Sequence, residues 1–99
     1  MEIQQGAVLK VEKIKDPVFV ASKNFFNQSG EIIGCPILGE STESPLHIYV
    51  EMDENKGYIQ CEQMKMLDLR VRGYKIIDHV KMADVINVTD AIQSIFDYI

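Results

Sequence analysis

Apolar and polar positions alternate along most of the chain, and only the C-terminal end changes period. From Gly6 to Lys13 the alternation sets in after Val8 and predicts a strand. "PVFVAS", Pro17 to Ser22, is a near-continuous apolar run rich in β-branched residues, the composition of a strand covered on both faces. Asn24 to Gly30 carries turn residues and a glycine suited to positive φ, which predicts a loop. "EIIGCPIL", Glu31 to Leu38, resumes as a strand, and Pro36, which has no N–H for the ladder, is expected at an edge or a bulge. After the polar loop Gly39–Pro45, "LHIYVEM" places Leu46, Ile48, Val50 and Met52 on one face and His47, Tyr49 and Glu51 on the other. Asp53 to Gly57 reads as a turn, Tyr58 to Leu69 begins as another strand in a unit closed by Gly73, and "YKIIDHV" predicts a last short strand.

Helical period appears from Lys81 to Ile99. Met82, Val85, Val88, Ile92, Ile95 and Ile99 recur at spacings of three, three, four, three and four, with Asn87, Asp90, Gln93 and Asp97 on the other side. Asn87 and Thr89 weaken the middle, so a bend or break is expected near them. The sum is a mainly β (α+β) domain: a small, mostly antiparallel β-barrel with a C-terminal helix. With no Asn-Gly or Asp-Gly hairpin turn, the pattern alone leaves the strand order open.

Composition narrows this picture. A chain of 99 residues reads as a single domain, 1–99, whose modest core an obligate dimer would help. No apolar run approaches the ~20 residues of a membrane span, and "MEIQQGAVLK" lacks a signal-peptide core. Cys35 and Cys61 form neither a disulfide framework nor a metal spacing and read as small strand residues in a reducing cytoplasm, a bridge between them being the alternative. The net charge of −5 argues against a general nucleic-acid coat. Its distribution says more. Six acidic residues and no Lys or Arg lie between Glu31 and Glu54. Residues 64–81 carry five cations against two acids, a local +3, and residues 10–23 carry four against two, a local +2. Either these are ordinary solvated faces, or the two basic segments build an anion-binding face.

A family resemblance enters with "GYIQCEQMKMLDLRVRG", Gly57 to Gly73, where polar residues interrupt a strand. Together with Gly6 and Val8, Pro17-Val18 to Phe26-Asn27, and Cys35-Pro36-Ile37, it resembles the MazF/PemK toxins of bacterial toxin–antitoxin modules, the Kid-like relatives above all. The resemblance covers nearly the whole chain, and its most specific part is Glu62-Gln63 followed by Leu67-Asp68 and Arg72-Gly73. It implies a dimeric, SH3-like β-barrel that cuts single-stranded RNA and is silenced by a cognate antitoxin. It implies no cofactor and no metal: the ribose 2′-hydroxyl attacks the adjacent phosphorus, which requires a base, an acid and positive charge around the phosphorane.

Mapped on this sequence, the resemblance implies Glu62 as base or acid and Gln60 in a position where some relatives carry a phosphorane-stabilising Arg. It departs from the family at Asp16-Pro17, where relatives have Arg-Pro, and at Leu38-Gly39, where they have Thr or Ser. Losing one oxyanion donor typically costs roughly 2.7–4 kcal/mol. Lys15 or Lys13 is the expected substitute for the cation, and Ser41 or Thr42 for the hydroxyl if the loop bends back. The loop "VEKIKDP" is also shorter than in relatives. The expected catalytic set is Glu62, Gln60, Lys15 and Ser41, and the expected RNA-binding set is Lys13, Lys65, Arg70, Arg72, Thr42 and Gln63. His47 and His79 read as surface or packing histidines, and Tyr49, Tyr58, Tyr74 and Phe25-Phe26 offer stacking surfaces. The competing expectations are a CcdB-like gyrase poison acting through its terminal aromatic, Tyr98, and a toxin-like protein that binds without cutting.

Overall fold

Strand β3 (Glu31–Leu38) is the hinge of the sheet, because three other strands pair with it. The computed structural model describes residues 2–97. Around β3 lie β1 (Ala7–Val11), β2 (Val18–Val20), α1 (Asn24–Asn27), β4 (His47–Glu51), β5 (Lys56–Gln60), β6 (Lys65–Asp68), β7 (Tyr74–His79) and α2 (Met82–Phe96). The strands run β4-β5-β3-β2-β1-β7 with antiparallel neighbours, and β6 joins β3 off that path. The result is a curled antiparallel half-barrel with a C-terminal helix, as the alternation and the final helical stripe predict.

The curl sorts apolar residues into two clusters. Val8, Phe19, Cys35, Ile37, Val50, Ile59 and Cys61 form one, completed by Val85 and Val88 of α2. Ile3, Leu9, Val11, Val18, Val20, Ile32, Leu67 and Leu69 form the other. Successive residues of β2 feed opposite clusters, so "PVFVAS" is a strand covered on both faces.

Four local expectations change. The loop 24–30 contains a helical turn, because buried Asn27 donates its amide to the Ile3 and Ser22 carbonyls and ties that turn to the N-terminal segment. The strand expected over Tyr58–Leu69 is two strands: the chain turns at residues 61–64, and β6 leaves β5 to pair with β3. Helix α2 runs unbroken through Asn87 and Thr89, and the Thr89 hydroxyl is satisfied by the Ile86 carbonyl. Pro36 lies at neither an edge nor a bulge. It pairs with Val18 in the middle of the sheet, and since the Ile37 N–H bonds Pro17 across β2, the Pro36 nitrogen faces the opposite side. There β6 pairs only as far as Gly34 and β5 starts at Ile37, so the missing donor falls in a gap.

Candidate active site

That gap opens a cleft of about 320 Å³. Gly34 and Pro36 leave its floor low, and Val18, Leu38 and Leu67 give it apolar walls. The β1–β2 loop contributes Lys15 and Asp16, the β5–β6 turn Gln63, β6 Lys65, and the β6–β7 connection Arg72. The short loop is held down by Lys10, whose ammonium donates to the carbonyls of Ile14 at 3.2 Å and Lys15 at 2.9 Å. Three cations and one acid make the lining net +2 (3 − 1). Among the described residues the ion pairs are His47–Glu62 and Arg70–Asp68, so none of the cleft cations is committed to a carboxylate.

A polar network occupies the continuation of the same sheet face. Side chains alternate along a strand, so Gly34, Pro36 and Leu38 share one face while Cys35 and Ile37 turn to the core. Leu38 stands opposite Tyr58, Tyr58 opposite Tyr49, and Gln60 opposite His47, which carries that face across the β4–β5 hairpin. The loop 39–46 folds back over it. Ser41 Oγ lies 3.0 Å from His47 Nδ1 and 3.0 Å from Gln60 Nε2, and the Thr42 carbonyl lies 2.7 Å from His47 Nδ1. On its other side, His47 Nε2 is 2.8 Å from Glu62 Oε2.

This arrangement favours the charged forms of both groups. A carbonyl at Nδ1 and a carboxylate at Nε2 each call for an N–H, and only imidazolium offers both. The Glu62 hydrogen bond and then the Thr42 carbonyl raise the His47 pKa above its ordinary value, against a smaller opposing effect of burial. The same bond from His47 holds Glu62 below the usual carboxylate range. Beneath the pair, burial pushes Cys35 up to about 12 and Cys61 to about 11, so both thiols stay neutral. Both cysteines are free and buried.

The expected site residues therefore divide. Lys15, Lys65, Arg72 and Gln63 meet in the cleft. Glu62, Gln60 and Ser41 meet in the network, and the loop does bend back as a hydroxyl at Ser41 requires. Gln60 is only 2 % exposed, with its amide donating to Ser41 and to the Tyr58 carbonyl, so it braces the network from below. Thr42 contributes its carbonyl. Lys13 is exposed at the β1–β2 turn at φ 66° and does not line the cleft. Arg70 is turned to Asp68, which it grips with Nε and Nη2 at 2.9 Å each. His47, which the sequence reads as a surface or packing histidine, stands at the centre of the network. Its one signal, a place on the polar face of β4, acquires meaning only through the register opposite Gln60. Tyr98 lies outside the described residues. Among the described residues, no three His, Cys, Asp or Glu side chains converge as metal ligands, and no helix is long and apolar enough to cross a membrane.

Comparison with known proteins agrees with this architecture. No curated protein sequence matches the chain. Among solved structures, it is similar to Deinococcus radiodurans MazE–MazF Form-I, with a TM-score of 0.87 at 16 % identity over 97 % of each chain. Form-II of the same complex gives 0.87 at 16 % identity, over 100 % of this chain and 99 % of that one. A mycobacterial endoribonuclease in complex with its cognate antitoxin gives 0.82 at 14 % identity, over 95 % of this chain and 94 % of that one. At such identities these likenesses speak for the fold. The sequence pattern of residues 7–96 matches the family described as PemK-like, MazF-like toxin of type II toxin–antitoxin system. Spanning nearly the entire chain, that match shows that the protein belongs to this toxin family.

Proposed function

We propose that this family member is a growth-inhibiting endoribonuclease that cuts single-stranded RNA without a metal. The observation that carries the reading is the shared sheet face, with uncommitted Lys15, Lys65 and Arg72 at one end and the Glu62 carboxylate at the other. A phosphodiester seated among the cleft cations gains charge neutralisation where negative charge develops on the phosphorane. Leu38 links that seat to the Tyr49 and Tyr58 rings, whose centroids are 5.1 Å apart and which offer unstacked bases an aromatic surface. Lys15 supports the role that an Arg at position 16 would otherwise fill, though a Lys does not reproduce the guanidinium fork.

In this reading the toxin works in the cytoplasm as a homodimer and is neutralised by a cognate antitoxin. The antitoxin complexes of the mycobacterial and Deinococcus relatives support that partnership. The test is incubation of the pure protein with a long single-stranded RNA in chelator. Fragments ending in cyclic phosphate are expected; intact RNA at high protein concentration overturns the reading.

A second reading, binding without cleavage, is favoured by Asp16 inside the cleft and by Leu38 where relatives place a hydroxyl. It predicts retention of RNA in a filter assay with no fragments.

A further inference from the structure

We propose that His47 is the positioning residue of this site: anchored on the Thr42 carbonyl, it holds the Glu62 carboxylate in place to take the proton of the attacking 2′-hydroxyl. The inference deepens the ribonuclease reading and rests on it.

The argument starts from Gln60. Both hydrogens of its amide are spent, one on Ser41 Oγ at 3.0 Å and one on the Tyr58 carbonyl at 3.1 Å, and the side chain is buried. It has no donor left for a substrate. The residue directly opposite it in the hairpin is His47, which sets an ionisable side chain beside Gln60 on the neighbouring strand.

His47 is held on both sides. Thr42 and Ser41 fix Nδ1, and Nε2 donates to Glu62 Oε2. The imidazole side chain is 11 % exposed and the carboxylate 37 %, so Glu62 is the member of the pair that a substrate reaches. Oε2 takes the imidazole hydrogen bond, which leaves Oε1 as the oxygen not engaged by His47. The step then balances as follows. The 2′-O–H bond breaks and its proton passes to Glu62 Oε1 while the O2′–P bond forms. The P–O5′ bond breaks, and the departing 5′-oxygen takes a proton from water. The products are a 2′,3′-cyclic phosphate and a 5′-hydroxyl end.

The experiment compares wild type, Glu62→Gln and His47→Gln for RNA cleavage across pH, with binding of a 2′-O-methyl RNA as control. Glu62→Gln is expected to lose about a hundredfold or more in rate, the usual worth of a general base. His47→Gln is expected to cleave about tenfold more slowly, to bind the uncleavable RNA as wild type does, and to shift the acidic limb of its rate profile to higher pH. That shift follows because the carboxylate loses the cation that keeps it ionised. Cleavage by His47→Gln at the wild-type rate, or a slower rate with an unmoved limb, overturns the proposal while the ribonuclease reading stands. Intact RNA with wild type removes that reading, and this role with it. Should His47→Gln fold poorly, titration of the His47 ring by NMR in wild type and Glu62→Gln decides the pairing. The titration point is expected to fall in the variant, and an unchanged one overturns the proposal.

Discussion

Leu38 on β3 and Tyr58 on β5 stand directly opposite one another, and their pairing joins the cationic cleft to the polar network of the β4–β5 hairpin. The strands approach closely there because residue 57 is glycine. A β-carbon on Gly57 would lie 2.7 Å from the Leu38 carbonyl oxygen and 2.8 Å from Ile37 Cγ2. Backbone cannot yield as a side-chain tip does. Gly57→Ala should therefore cost about 1–3 kcal/mol, the usual penalty of overpacking, seen as a lower urea midpoint; an unmoved midpoint would contradict the close approach.

On the ribonuclease reading, the charges of the cleft should act on RNA with opposite signs. Lys15→Ala, Lys65→Ala and Arg72→Ala should each weaken binding of an uncleavable RNA and lower its log–log salt slope by about 0.7, the value for one single-strand phosphate contact. Asp16→Asn removes the acid from the lining and should tighten binding by about two- to fivefold, in keeping with ~0.4–1 kcal/mol for an exposed charge interaction. Arg70→Ala, outside the cleft and occupied by Asp68, should leave the slope as it is.

Asp78 governs how the hairpin turn responds to acid. Burial by itself would raise its pKa, but the Asn55 amide and the backbone N–H groups of Glu54, His79 and Asp53 outweigh that and hold it at about 2. A depressed carboxylate stabilises the fold fully above its unfolded value of 3.8 and loses that contribution as pH falls towards about 2. Urea midpoints should drop in this window. Asp78→Asn, which replaces a charged acceptor, should flatten the drop and cost roughly 1.5–3 kcal/mol at neutral pH.

The His47–Glu62 pair has a different window. Glu62 contributes fully above its ordinary 4.5 and less as acid titrates it through its lowered value. His47 contributes fully below its ordinary 6.5 and less as pH rises through its raised value. The melting-temperature difference between wild type and Glu62→Gln should be largest between those two pH values and shrink on either side.

Cys35 and Cys61 should ignore alkylating reagents at pH 8. Both are buried, and thiols held at about 12 and about 11 supply almost no thiolate there. Mass spectrometry should show no adduct on the native protein and two after denaturation.

Much of this is legible in the chain itself. The alternation of "LHIYVEM" assigned each side chain of β4 to its face, because a strand's period depends on nothing beyond the strand. Of the helical stripe, Val85, Val88 and Ile92 meet the core for the same local reason, while Met82 and Ile95 stay exposed. Residue types gathered near Glu62-Gln63 and Arg72-Gly73 were enough to expose the family.

What local pattern could not carry was partnership between distant segments. Pro36 announced a missing donor, but only β6 ending at Gly34 and β5 beginning at Ile37 turned it into the mouth of a cleft. Arg70 and Arg72 are two residues apart and alike in charge, yet one closes on Asp68 and the other lines the cleft. His47 and Glu62 are separated by a turn and a strand, and their contact exists because the hairpin register sets His47 against Gln60. Short-range period and residue type were enough for most of the strands, the C-terminal helix and the family, but not for α1 or the division between β5 and β6. Which charges are free, which are paired and which carboxylate meets which cation was decided by strand register and loop closure, which are properties of the folded chain alone.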